Sequence, residues 1–157
     1  MANIIHLNLR GEKQGLISSG CGTEKSIGNK WQKGHEDEIF IYEVNNTVSS
    51  EDNISFHPLT IRKPVDKATP LLLQALDGKE TLECSFDFYR TSANGGNEFY
   101  FRIKLTKARI TEINYIYPNS MTHNDLQPQE VVSFNFATIT LEHIVANTSA
   151  WASWKDA

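Results

Sequence analysis

Leu82-Glu83-Cys84-Ser85-Phe86-Asp87-Phe88-Tyr89 decides the fold class, together with Ser92-Ala93-Asn94-Gly95-Gly96-Asn97 and the return run Phe99, Phe101, Ile103 and Leu105. In the first stretch Leu82, Cys84, Phe86 and Phe88 alternate with Glu83, Ser85, Asp87 and Tyr89. A period of two puts the apolar set on one face of a half-buried strand. The Asn94-Gly95 pair supplies the positive φ angles of a tight hairpin, and the return run carries the same alternation back.

Working outward, the return run slips phase around Lys107–Ile110 before Ile113, Tyr115 and Tyr117 resume it. One extra residue in a long strand predicts a β-bulge, which bends the strand and keeps its apolar side inward. The last long run behaves alike: Val132, Phe134 and Phe136 share one phase, and Ile139, Leu141 and His143 take the other. Two bent long strands predict a closed or strongly curved sheet rather than a flat one.

Earlier strands are expected at Ile4–Arg10, Glu38–Val48 and Phe56–Lys63. Glu38–Val48 is apolar on both phases, with Ile39 and Ile41 on one and Phe40 and Tyr42 on the other. Both of its faces should be covered, and another subunit is one candidate cover. A single helix stands out, with Thr69 as cap, Pro70 at its first position, Leu71–Asp77 as its body and Gly78 as the left-handed stop. Leu72, Leu73, Ala75 and Leu76 form a face that should plug one end of a barrel. Two long polar connections remain, Gly11–Asp37 and Pro118–Gln129, and long ordered loops usually have a task.

The 157 residues suit one domain, expected to run over 1–157, and no composition shift, repeat or linker divides them. A chain of this size buries about 68–70% of its unfolded surface. Apolar residues make up 39% and charged residues 22%, ordinary for a globular protein. No apolar run reaches the ~18–20 residues of a membrane helix, so no membrane insertion is expected. The start Met1-Ala2-Asn3-Ile4-Ile5-His6 has no basic region and no unbroken apolar run of the secretory kind. The expected location is therefore the cytoplasm first, with any export by a route that needs no signal peptide.

A net charge of −4 without a basic stripe argues against nucleic acid as a partner. Arg102, Lys104, Lys107 and Arg109 alternate with apolar residues and read as a solvated strand face. Cys84 lies on the apolar phase and should be a buried thiol. Cys21, in Ser19-Gly20-Cys21-Gly22, sits in a segment expected to be flexible and open to solvent. Neither belongs to a Cys-x-x-Cys pair, which leaves redox chemistry and zinc unsupported by spacing.

A search for chemistry returns little. His6, His35, His57, His123 and His143 form no His-x-His, no His-Glu-x-x-His and no helical pair. Gly34-His35-Glu36-Asp37-Glu38 sets carboxylates beside a histidine, which could suit a divalent cation. In an extended stretch, however, neighbouring carboxylates point to opposite faces and do not converge. A charged loop making salt bridges is the reading preferred, and no cofactor or metal is expected. No Gly-x-Ser-x-Gly elbow, phosphate loop or dinucleotide fingerprint occurs, and no catalytic residue is assigned. The expectation is a structural module without an active site. A small-ligand-binding β-barrel is the alternative, and it would need a partly empty interior that the eight phenylalanines argue against.

Four long words, in order, carry a resemblance to a known family: Gly15-Leu16-Ile17-Ser18-Ser19-Gly20-Cys21, Gly34-His35-Glu36-Asp37-Glu38-Ile39-Phe40, Lys63-Pro64-Val65-Asp66-Lys67-Ala68-Thr69-Pro70-Leu71-Leu72 and Phe86-Asp87-Phe88-Tyr89-Arg90-Thr91. The chain resembles, nearly end to end, the hemolysin-coregulated protein family, Hcp, the tube protein of type VI secretion. Near its end it departs from the family words, reading Leu141-Glu142-His143 and Asn147-Thr148-Ser149. It closes on Asp156-Ala157, and no appended toxin domain is expected.

The resemblance implies a mainly β, barrel-like domain of two curved antiparallel sheets with one short α-helix, assembling into a hexameric ring. It further implies rings stacked into a tube whose lumen carries and protects small effector proteins. The implied partners are further copies of the chain, a spike protein, a contractile sheath and baseplate components. A ring needs two different complementary patches on every subunit, closed by rotation. The loop Gly11–Asp37 is suited to reach a neighbouring ring, so Trp31, His35 and Glu36 are the candidate contacts between subunits or rings. Glu83, Ser85 and Asp87 are candidates for the lumen or the outer wall.

Overall fold

The computed structural model describes residues 3–154, so Met1-Ala2 and Lys155-Asp156-Ala157 lie outside the described residues. The deciding stretch forms β8 (Leu82–Thr91), which turns back into β9 (Asn97–Ile116), in chain order after β1 (Asn3–Gly11), β2 (Gly15–Leu16), β3 (Ile39–Ile41), β4 (Glu43–Asn45), β5 (Val48–Ser50), β6 (Ile54–Phe56) and β7 (Leu59–Pro64). β10 (Gln129–Asn135), β11 (Thr138–His143) and β12 (Thr148–Ser153) complete the strands, and α1 (Glu24–Ile27) and α2 (Ala68–Asp77) are the helices. In the β8–β9 turn only Gly95 takes a positive φ, 90°, with its N–H donating to the Ser92 carbonyl at 3.0 Å.

Ten strands form one antiparallel sheet in the order β2-β1-β8-β9-β10-β7-β4, with β3 beside β1 and β11 and β12 beside β9; β5 and β6 form a separate pair. The two expected sheets are the halves of this one, and β9 runs through both. Its first part pairs with β8 and β11 and its last part with β10. Between them Lys107 adopts φ 53°, and the register against β8 shifts there, where the phase slip predicted a bulge. The chain crosses between the halves a second time at Tyr42, since β3 pairs with β1 and β4 with β7. The structure is thus barrel-like, but its circuit is completed by the covalent chain at Tyr42 and not by a hydrogen-bonded ladder.

The interior is filled by Leu7, Leu9, Ile61, Leu72, Phe86, Leu105, Val132 and Phe134, each at most 1% exposed. Packing of this kind, rather than a ligand-sized void, is what a solid core requires. Ile39, Phe40 and Ile41 are all buried within the chain itself, Phe40 by an edge contact with His6 at 6.0 Å and by Tyr42. No second subunit is needed to cover that strand.

Several local expectations are corrected. α2 starts at Ala68, so Thr69 lies inside it and Asp66 caps it, its Oδ1 accepting from the Ala68 N–H at 2.9 Å. Pro70 still falls in the first turn, where no intrahelical partner would meet its missing N–H. Gly78 has φ −85° and donates to the Gln74 carbonyl; Lys79, at φ 50°, is the left-handed residue. The buried helix face is Ala68, Leu72 and Ala75, whereas Leu73 is exposed. The last apolar run is two strands, broken after Asn135, because the phase change at Ala137 turns the chain from β7 and β9's far end back to β9's start. α1, at one turn, and β12 were not foreseen.

Candidate assembly site

The segment Gly15–Cys21 is ordered by its neighbours rather than flexible. The Ser18 N–H donates to the Leu9 carbonyl and the Leu9 N–H donates back to Ser18 Oγ, both at 3.2 Å. Cys21 is fully buried, its Sγ 3.3 Å from the Ile17 carbonyl, and burial first, then Asp66, pushes its thiol up to about 12. That corrects the expectation of an exposed Cys21. Cys84 is a buried free thiol, as expected, and burial raises its pKa further still.

Gly22 explains how tightly the loop is held. Its N–H donates to the Glu36 carbonyl at 2.9 Å, and a side chain there would collide with the His35 carbonyl and come within 2.8 Å of the Glu38 carbonyl. Beside it, the Gly20 N–H donates to Asp37 Oδ1 at 2.9 Å. On the other side Lys67 Nζ donates to the Ser19 carbonyl at 3.1 Å, and the Lys67 N–H to Ser26 Oγ at 2.8 Å. Three of the four family words therefore dock on one another, and the fourth lies on β8 beside β1, with Asp87 opposite His6.

Under this cluster Lys63 is fully buried. Its Nζ sits 2.9 Å from Asp66 Oδ1, 3.3 Å from Glu130 Oε1 and 3.0 Å from the Pro64 carbonyl. Thr69 Oγ1 donates to Glu130 Oε2 at 2.6 Å and accepts from the Asp66 N–H at 3.0 Å. Burial raises the Asp66 carboxyl and Lys63 offsets part of that rise. A buried charge persists only when paired and hydrogen-bonded, and this network ties α2 to β7 and β10. Sequence reading missed it, although Leu59, Ile61 and Lys63 share one strand phase, and Glu130, Val132 and Phe134 another. A charge on a core-facing phase is the signal that could have found it.

The three candidate contact residues do not converge. Trp31 caps a short 3-10 turn, Gly28–Lys30, and is 44% exposed. Glu36 turns back on its own loop, where the donated Gly34 N–H at 2.9 Å holds its carboxyl below the usual range. His35 turns inward, its Nδ1 2.8 Å from Glu38 Oε1 and its ring stacked on His6 at 3.9 Å. Of the outer set, Glu83 is exposed and Ser85 half-buried, but Asp87 is buried, with Arg102 Nε donating to it at 2.8 Å. Lys104, Lys107 and Arg109 form the solvated face expected of them.

Large apolar side chains face outward elsewhere. Trp151 is 71% exposed on β12, and Leu141, Ile144 and Val145 join it on the β11–β12 hairpin. Tyr117, Met121 and Leu126 line the loop before β10. An open groove of about 1070 Å³ runs past Arg10, Glu83, Lys107, Arg109, Phe136 and Trp154. Its lining does not include the buried core residues named above.

The family model described as "Type VI secretion system effector, Hcp" matches residues 7–143. The chain is 36% identical over 172 residues to the "Major exported protein" of Pseudomonas aeruginosa, covering 99% of this chain and 97% of that one. It is 39% identical over 149 residues to the "Uncharacterized protein YhhZ" of Escherichia coli K12, of whose length it spans 37%. Its structure is similar to a crystal structure of an Hcp protein (35% identical, TM-score 0.91, covering 96% of this chain and 99% of that one). It is similar also to the secreted protein Hcp3 from Pseudomonas aeruginosa (37% identical, TM-score 0.89, covering 98% and 99%). With sequence, fold and docked motif words in agreement, the chain belongs to the Hcp family of type VI secretion, whose members are structural, secreted, ring-forming tube proteins and not enzymes.

Proposed function

We propose that residues 1–157 act as a single tube domain that assembles into a homo-hexameric ring. Rings stack into the inner tube, capped by a spike protein and driven by a contractile sheath on a baseplate. The lumen carries and protects small effector proteins, and the subunit waits in the cytoplasm before export without a signal peptide. The supporting observation is the outward set of large apolar side chains on a chain whose own core is already full. Exposed apolar patches of this kind mark association surfaces, and a ring closes two unlike patches on each subunit. Trp31 and Glu36, on the loop docked over β1, serve the contacts between subunits or rings, and His35 supports that loop from beneath.

Native mass spectrometry and negative-stain imaging of the purified chain test this reading. A hexamer and an annulus are expected at micromolar concentration. A monomer throughout would overturn it. Trp31→Ala combined with Glu36→Lys is expected to weaken ring or tube formation, and unchanged assembly would remove those residues from the interface.

A further inference from the structure

His6 is 2% exposed, yet neither of its ring nitrogens has a hydrogen bond of good geometry, although the Gln32 side chain approaches it. Buried polar groups are nearly always satisfied, so an orphaned imidazole needs an explanation. Its ring lies parallel to that of His35, with centroids 3.9 Å apart and planes 3° from each other. Tyr89 closes the pair from the side, edge-on to both rings at 5.6 and 5.2 Å. Glu38 completes the group, with Oε1 2.8 Å from His35 Nδ1 and Oε2 buried without a partner. One donor atom from each of His6, His35 and Glu38 falls within 4.8 Å of the others.

We propose that His6, His35 and Glu38 form a binding site for a first-row transition-metal dication of the zinc class. Two imidazoles and one carboxylate are a recognised donor set for such ions, with bonds of about 2.0–2.2 Å and a further position left for water. The ion would take one of the two unpartnered His6 nitrogens and the free oxygen of Glu38. Sequence spacing spoke against a metal because neighbouring carboxylates of the 34–38 stretch diverge. Convergence comes instead from β1, which brings His6 under the turn.

Binding requires a small rearrangement. Parallel rings cannot both aim a lone pair at one ion, so the stack has to open. Tetrahedral ligands with such bonds stand roughly 3.4 Å apart, closer than the present spread of the donors. His35 is the side that moves: it follows Gly34, which has φ 91°, whereas His6 is fixed by ladders on both edges of β1. The bound ion would then pin the Gly34–Glu38 turn to β1.

The test uses the full chain, freed of metal with a chelator and titrated with Zn2+ by calorimetry at neutral pH. One ion per subunit with micromolar affinity or tighter is expected. His6→Phe keeps an aromatic ring in the stack but removes the donor, and should weaken binding at least tenfold; His123→Ala, on the exposed loop, should leave it unchanged. Absence of stoichiometric Zn2+ binding, or unaltered binding by His6→Phe, overturns the proposal. Should His6→Phe not fold, Co2+ added to the wild-type chain decides. Intense visible bands of a low-coordinate nitrogen–oxygen site support it, and the weak spectrum of aqueous Co2+ overturns it. Ring assembly is read by mass and imaging, so failure of one reading is distinguishable from failure of the other.

Discussion

Replacing Lys63 with Met removes a charge and keeps most of the volume, which isolates the electrostatic role of the buried network. In the native chain Lys63 Nζ lies 2.9 Å from Asp66 Oδ1 and 3.3 Å from Glu130 Oε1, with all three side chains at 0% exposure. Lys63→Met leaves two carboxylates buried and uncompensated, a defect that costs about 3–5 kcal/mol. Set against a total stability of roughly 5–15 kcal/mol, that is a large fraction. With a urea dependence of ~2 kcal/mol per molar, the unfolding midpoint should fall by about 2 M. The loss should also depend on pH in a fixed sense. Burial already raises the Asp66 carboxyl, and without Lys63 nothing opposes that rise. A carboxyl raised in the folded state favours folding when protonated and disfavours it as pH climbs through its folded pKa. The deficit of the variant should therefore shrink between pH 8 and pH 5. Urea unfolding followed by tryptophan fluorescence, at one fixed protein concentration so that assembly contributes equally, measures both effects. A deficit under about 1 kcal/mol, or one that does not change with pH, would refute the view that Lys63 neutralises the cluster.

Three further outcomes are expected. His6 has its pKa lowered from 6.5 to about 4, so the fold binds fewer protons than the unfolded chain; stability is intact above pH 6.5 and declines by up to about 3 kcal/mol as pH falls toward 4. His6→Phe should flatten that part of the pH profile. Gly22→Ala forces a methyl group against the His35 and Glu38 carbonyls, which costs about 1–3 kcal/mol and should lower the melting temperature by several degrees in calorimetry. Lys107→Gly relieves a left-handed φ of 53° at an exposed bulge; a gain of about 0.5–1 kcal/mol in urea unfolding is expected, and a loss would mean the side chain holds the bend.

The parts of the fold that were legible in the sequence are those whose signal is local. Alternation from Leu82 to Leu105 gives β8 and β9, and the phase slip near Lys107 gives the bend, because both are written in adjacent residues. β12 was illegible because Ser149-Ala150-Trp151-Ala152 carries no core alternation; Trp151 faces solvent and the strand is held by backbone pairing to β11. Cys21 and Gly22 looked flexible because glycines flank the cysteine, yet glycine here serves close approach to a carbonyl wall supplied by residues 35 and 38. The same distance limit hid the histidine pair: His6 meets His35 only once β1 and the turn have been brought together, and no spacing rule spans that gap. Of the candidate contacts, sequence could not tell that His35 points inward while Trp31 points out.

The pairing of β1 with β8, from Asn3 opposite Arg90 to Gly11 opposite Leu82, sets a clock on biosynthesis. The first strand to leave the ribosome must wait for its partner some eighty residues later. At about 5–20 residues per second that wait lasts roughly 4–16 seconds. During that interval β1 can meet β2 and β3 on one edge, while its other edge stays open and carries Leu7 and Leu9 unburied. An open strand edge is a template for the wrong partner, and every other copy being made nearby offers the same strand. The proposed assembly of copies into a ring thus has to wait until residue 91 has emerged.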